Sequence, residues 1–198
     1  MASALTRRQA PAQLGFSMIE VMVATLVISI SVLGLAGMQI SSKRVGHDAV
    51  QRGSATALAL DLVERMRANP DGLTSYVTTG LGGSSITTEP TPNCTYDSSV
   101  SCSPAQQAAY DLWEWEQAID GASETIVEGD EARAVGGLFN PTACVTVADG
   151  LVTISMAWEG YQAISNPSAN TCGVGLGKYG SGDAKRQLVS LTTFVTRQ

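Results

Sequence analysis

Residues 15–40, GFSMIEVMVATLVISISVLGLAGMQI, constrain this chain more than any other stretch. After Glu20 the segment Val21 to Met38 runs 18 residues without a charge. A helix needs roughly 20 apolar residues to cross a bilayer. A carboxylate inside such a segment costs about 2.5–3.5 kcal/mol near the helix centre, so Glu20 is by default a functional residue. Arg7 and Arg8 precede the run, and Lys43 and Arg44 follow it. A secretory signal peptide has a shorter apolar core, about 7–15 residues, and then a small-residue cleavage site. Here the apolar run is longer than that, yet Gly34, Ala36 and Gly37 imitate such a site, so a signal peptide stays open as a reading. At the other end, Gly15 stands directly before Phe16. A cut there would remove a basic leader and keep the apolar helix.

The remaining length of this 198-residue chain suits one globular domain. Between Asp71 and Gly177 there are thirteen acidic residues and one basic residue, Arg133, a net of −12 (1 − 13). That field disfavours nucleic-acid binding, which needs clustered Lys and Arg. It reads as a solvated acidic surface. The four cysteines, Cys94, Cys102, Cys144 and Cys172, all follow the apolar segment. An even count behind a membrane-targeting segment favours disulfides in an oxidising compartment. Three connectivities are open, and Cys94–Cys102 with Cys144–Cys172 is preferred because each closes a local loop. Zinc is disfavoured: no CxxC is present, and the single histidine, His47, is far from the cysteines.

From Phe16 to Ala68 there is no proline, and Asn69-Pro70-Asp71-Gly72 gives a firm stop. A helix over this span would be about 80 Å long at 1.5 Å per residue. Gly34, Gly37, Gly46 and Gly53 are weak points in it. Val45, Ala49, Ala55, Leu58, Ala59, Leu62, Val63 and Met66 supply apolar contacts for a head domain along its second half. Arg52, Asp61, Glu64, Arg65 and Arg67 edge that seam, and His47-Asp48 reads as a surface pair. Thr74 to Ser103 reads as a Gly/Ser/Thr-rich surface loop. In it, Asp97-Ser98-Ser99 lacks a calcium-loop pattern. Pro104 to Ile119 reads as a second helix capped by Ser103, with Ala108, Leu112, Trp115 and Ile119 on one face. Trp113 falls off that face. Ala143–Ala148, Asp149-Gly150 and Leu151–Trp158 form the best hairpin signal, and Arg186–Thr196 supplies a third strand. Glu124 to Glu128 is a candidate short strand. Tyr161–Asp183 is an excursion that a Cys144–Cys172 bridge would tie back. The expected fold is α+β, an antiparallel sheet packed on the long helix.

No nucleophile elbow, phosphate-binding glycine loop, metal-binding helix or dinucleotide fingerprint occurs. Glu114 and Glu116, two apart on a helix, point in different directions. The reading is therefore a non-enzyme, with no catalytic residue, no metal site and no cofactor.

The run GFSMIEVMVATLVISISVLGLAGMQ resembles the N-terminal signature of type IV prepilins and the related type II secretion pseudopilins. ALALDLVERMRANPDG, Ala57 to Gly72, and PAQQAAYDLWEWEQAI, Pro104 to Ile119, resemble the PilV type of minor pilin. The resemblance implies a pilin-like fold and three segments. Residues 1–15 are a cleaved leader, 16–40 a transmembrane and assembly half-helix, and 41–198 a periplasmic head. It implies prepilin-peptidase cleavage between Gly15 and Phe16, N-methylation of Phe16, and a role for Glu20 in subunit docking. The implied partners are other minor pilins, the major pilin, the prepilin peptidase and the inner-membrane assembly platform, with no nucleic acid. The implied location is the inner membrane, single-pass with the head in the periplasm, and then the pilus at the cell surface. The implied function is pilus assembly in a priming or tip complex, and so adhesion or twitching motility. A type II secretion minor pseudopilin is the nearest alternative. A periplasmic binding or enzymatic domain on a simple membrane anchor is the alternative from another class. Elementary electrostatics agrees with the docking role. Cleavage frees an amine at Phe16 beside an apolar helix, and a carboxylate buried among packed helices needs a cationic partner.

Overall fold

The structure is a computed structural model that describes residues 15–95, 100–122, 124–129, 131–164 and 169–196. Asp97-Ser98-Ser99 lies outside the described residues. By its contacts the chain divides into two units, residues 1–43 and 44–198.

One helix, α1 (Met18–Ala68, 51 residues), contributes to both units. It starts two residues later than the sequence suggests, because Gly15, Phe16 and Ser17 are irregular. It ends where expected. Pro70 cannot continue the helix, and a 3-10 turn over Pro70–Tyr76 follows Asn69.

In the second unit, α1 lies against a four-stranded antiparallel sheet of order β1-β4-β5-β6. The strands are β1 (Thr78–Leu81), β4 (Thr142–Ala148), β5 (Leu151–Glu159) and β6 (Arg186–Phe194). A separate two-stranded ribbon pairs β2 (Thr125–Glu128) with β3 (Glu131–Ala134). The β4–β5 hairpin closes through Asp149 (φ 49°) and Gly150 (φ 80°). Two successive positive φ values match the strand twist, which is why Asp-Gly serves there. The second helix, α2 (Pro104–Asp120), begins on Ser103 in a reciprocal capping box with Gln106.

Ala55, Ala59, Leu62, Val63 and Met66 of α1 enter one apolar core with Leu112, Trp115 and Ile119 of α2 and Val152, Ile154 and Met156 of β5. Fully burying a side chain of the Leu, Ile or Met class contributes about 1.5–3 kcal/mol. Val45 and Ala49 do not join this core. Val45 is 58% exposed, and the neighbouring Asp48 and Gln51 of α1 bond to loop residues, not to the sheet. Arg65 is also drawn inward from its expected edge position and lies half-buried beside α2.

The Thr74–Ser103 segment is more ordered than a surface loop. It contributes the end of the 3-10 turn and strand β1, whose pairing partner β4 lies more than 60 residues away. Beyond β1, the fully buried Glu116 of α2 accepts hydrogen bonds from Gly82 N (2.9 Å), Ser85 N (2.6 Å), Ser85 Oγ (2.6 Å) and Ile86 N (2.7 Å). Asp120, one turn later, takes Gly83 N (2.8 Å) and Ser84 N (2.6 Å). Two carboxylates thus hold five successive backbone amides. Cys94 is bonded to Cys102, and Cys144 to Cys172. The second bond ties the 161–183 excursion to the back of the sheet. There Asn170 Nδ2 donates to Ser155 Oγ at 2.7 Å, and Tyr179 OH to Thr142 Oγ1 at 2.7 Å. The architecture is the expected α+β arrangement of long helix, antiparallel sheet and extra helix.

Candidate assembly site

The N-terminal site is built on the transition from irregular chain to helix. Ser17 O accepts from Glu20 N at 3.0 Å and from Val21 N at 3.3 Å, which starts the first turn of α1. Ser17-Met18-Ile19-Glu20 has the residue pattern of a capping box, a serine followed three residues later by a glutamate. That pattern is a second reason for a glutamate here, and a general sequence signal independent of any family. Glu20 lies in the first turn, where the helix dipole favours negative charge by about 0.3–1 kcal/mol.

The Gly15–Phe16 bond precedes this turn, outside the helix. Phe16 is 85% exposed. A Cβ placed on Gly15 meets nothing within 4 Å, so no packing among the described residues demands glycine there. A requirement for glycine at that position would come from an outside agent that grips the backbone.

Beyond Glu20, α1 is long and apolar enough to cross a membrane. Its large apolar side chains from Val21 to Met38 are exposed in the unit that carries them. The hydroxyls in the span are satisfied internally. Thr25 Oγ1 donates to Met22 O (2.9 Å), Ser29 Oγ to Thr25 O (2.7 Å) and Ser31 Oγ to Val27 O (2.8 Å). Each polar group inside hydrocarbon needs such a partner. Glu20 is thus the one charged side chain between Ser17 and Ile40.

In the head, the sequence-singled pair His47-Asp48 meets Tyr161. The rings of His47 and Tyr161 stand edge to face at 4.8 Å, and Tyr161 N donates to Asp48 Oδ1 at 3.2 Å. Gln51, which sequence reasoning passed over, holds the 137–139 loop from both sides. Its Nε2 donates to Gly137 O (3.2 Å), and its Oε1 accepts from Phe139 N (3.0 Å). A cavity of about 590 Å³ lies between these α1 residues and the loops. Among the described residues no cluster of three or more His, Cys, Asp or Glu is placed to hold a metal.

At the other end of α1, Arg65 bridges to α2 through Glu114 and also pairs with Asp61 at 2.9 Å. Burial opposes its charge, but the hydrogen bonds to Glu114 and Asp61 outweigh that and raise its pKa. Tyr76 donates to the buried Asp111. Burial, reinforced by Asp111, pushes its phenol well above the usual tyrosine value.

Residues 11–36 match the prokaryotic N-terminal methylation motif. Residues 37–113 match a family model described as Type IV pilin Tt1218. Over residues 37–113 the chain is similar to type IV pilins. No curated protein and no solved structure matches it. The type IV pilin match runs from Gly37 in α1 through β1 to Trp113 in α2, so strands β2 to β6 lie beyond it. Type IV pilins are structural, non-enzymatic subunits. The methylation motif and the apolar helix together fit membrane anchoring before assembly.

Proposed function

We propose that this chain is a minor pilin of the PilV type. In this reading residues 1–15 are removed and Phe16 becomes the N-terminus and is methylated. Residues 16–40 hold the subunit in the inner membrane, and residues 41–198 form a periplasmic head. The subunit then joins other minor pilins and the major pilin, through the assembly platform, in a priming or tip complex. It thereby serves adhesion or twitching motility.

The observation that carries the proposal is the order Gly15, Phe16, Glu20 and apolar span inside a matched methylation motif. Glu20 is well placed to answer the amine of a neighbouring subunit, because a charge packed among apolar helices is strongly unfavourable alone. The PilV reading has its own support in the head. The two runs that resemble PilV, 57–72 and 104–119, pack on each other. Trp115 Nε1 donates to Leu58 O at 2.8 Å, and Asn69 Nδ2 to Pro104 O at 2.8 Å. The type IV pilin match over residues 37–113 favours a pilus subunit over a type II secretion pseudopilin.

The experiment is replacement of Gly15 by a large residue, Gly15→Phe, in cells with a working prepilin peptidase. The variant should keep its full-length mass and stay out of filaments, while the parent is trimmed. Normal trimming of the variant would remove the basis of the proposal.

A further inference from the structure

We infer that residues 44–53 of α1 form a release segment, which opens from the head as a local unit while the core around Ala55–Met66 stays closed. The inference rests on the pilin reading only for its purpose, not for the opening itself. From Arg44 to Ser54 no residue of α1 is buried, and the first buried side chain is Ala55. What holds the segment is a polar clamp: Asp48 on Tyr161 N, Gln51 on Gly137 O and Phe139 N, and the His47 ring on Tyr161.

Hydrogen bonds of this kind contribute about 1 kcal/mol each, with water ready to replace them. Tyr161 and Phe139 on the head side are themselves 58% exposed. The clamp residues His47, Gln51, Gly137, Phe139 and Tyr161 themselves line an open pocket of about 590 Å³. The segment is bracketed by Gly46 and Gly53, each of which weakens a helix interior by about 1 kcal/mol relative to Ala. Neither glycine is there to admit a neighbour, since a Cβ on either meets nothing within 4 Å. Few apolar contacts, exposed backbone and poor helix formers mark the low-stability end of a structure. A pilin must carry the same helix first in a bilayer and then in a fibre. A release segment lets that helix adjust without unfolding the head.

The test is hydrogen exchange on the full chain, trimmed or not, in detergent micelles. Amides of residues 44–53 should exchange as a group at least about tenfold faster than those of 57–66. Gly46→Ala with Gly53→Ala should slow residues 44–53 by about fivefold per substitution and leave 57–66 unchanged. Gln51→Ala should speed residues 44–53 and 137–139 alone. Exchange of 44–53 in step with 57–66, or an equal effect of the alanines on both, overturns the inference. In cells the double alanine variant should be trimmed normally but enter filaments less than the parent. Equal entry overturns the assigned purpose. A parent that is never trimmed overturns the pilin reading and leaves the exchange result standing.

Discussion

The indole N–H of Trp115 reaches across to the main-chain carbonyl of Leu58 at 2.8 Å, in the C-terminal part of α1. A side chain on the second helix thus reads the backbone of the first, and the fully buried ring fills the space between them. Trp115→Phe removes that donor and part of the ring volume together. The head should lose about 2–3 kcal/mol by denaturant titration, with cleavage at Gly15 unaffected. A loss under about 0.5 kcal/mol, the range of an ordinary surface substitution, would show that the contact does not fix the helix pair.

Glu116 is the second such anchor, with four donors on one buried carboxylate. Glu116→Gln keeps the shape but turns an amino group toward amides that need an acceptor. It should cost about 2–4 kcal/mol and raise hydrogen exchange at Gly82–Ile86 first. An unchanged exchange pattern there would contradict the role given to this carboxylate.

The tyrosine beside Asp111 sets an alkaline limit. Burial and Asp111 raise the Tyr76 pKa in the folded head above its unfolded value, which is about 10. Its contribution is therefore fully present below about pH 10 and is lost as pH rises toward the folded value. Stability measured from pH 9 to 11 should fall, and Tyr76→Phe should flatten the fall. The variant should also be weaker at pH 7, because Asp111 loses a donor. An equally steep alkaline fall in the variant would assign the effect to other groups.

The two disulfides should differ in weight. Cys144–Cys172 closes a separation of 28 residues and Cys94–Cys102 one of 8. On the chain-entropy account their removal costs about 3.6 and about 2.6 kcal/mol. Cys144→Ala with Cys172→Ala should be the more damaging pair in chemical denaturation. The reverse order would mean that native-state contacts, not loop closure, govern these bonds.

Most of this arrangement was legible in local pattern. The proline-free run to Ala68, the Ser103 cap and the Asp149-Gly150 turn each carry their own chemistry in adjacent residues, and each forms as read. The features that were missed depend on partners far away in sequence. Strand β1, Thr-Thr-Gly-Leu, has no alternating pattern and exists because β4 pairs with it. Strand β3 is the exception: it pairs locally with β2 across residues 129–130, but Glu-Ala-Arg-Ala lacks the β-branched and aromatic residues that mark a strand in sequence. Glu116 looked like one more surface acid, because nothing near it shows that the 82–86 amides will close over it. Val45 and Ala49 have the right spacing for a core face, yet the sheet does not extend to them. At the N-terminus, the expectations for Gly15, Phe16 and Glu20 rest on a linear motif and not on the packing of the head.

Glu20→Ala should leave membrane insertion intact, since it removes a costly charge from the span. It should impair docking of the subunit. Sheared filaments from cells carrying the variant should contain little of it relative to the parent, at equal membrane levels. Equal incorporation would remove the charge-pairing role.

The most direct measurement of the central claim is the intact mass and N-terminal residue of the mature protein, from cells with and without an active prepilin peptidase. The account predicts a chain that starts at Phe16, with or without one added methyl group, only when the peptidase is active. A start after Gly37, or the same full-length chain in both cells, would contradict it.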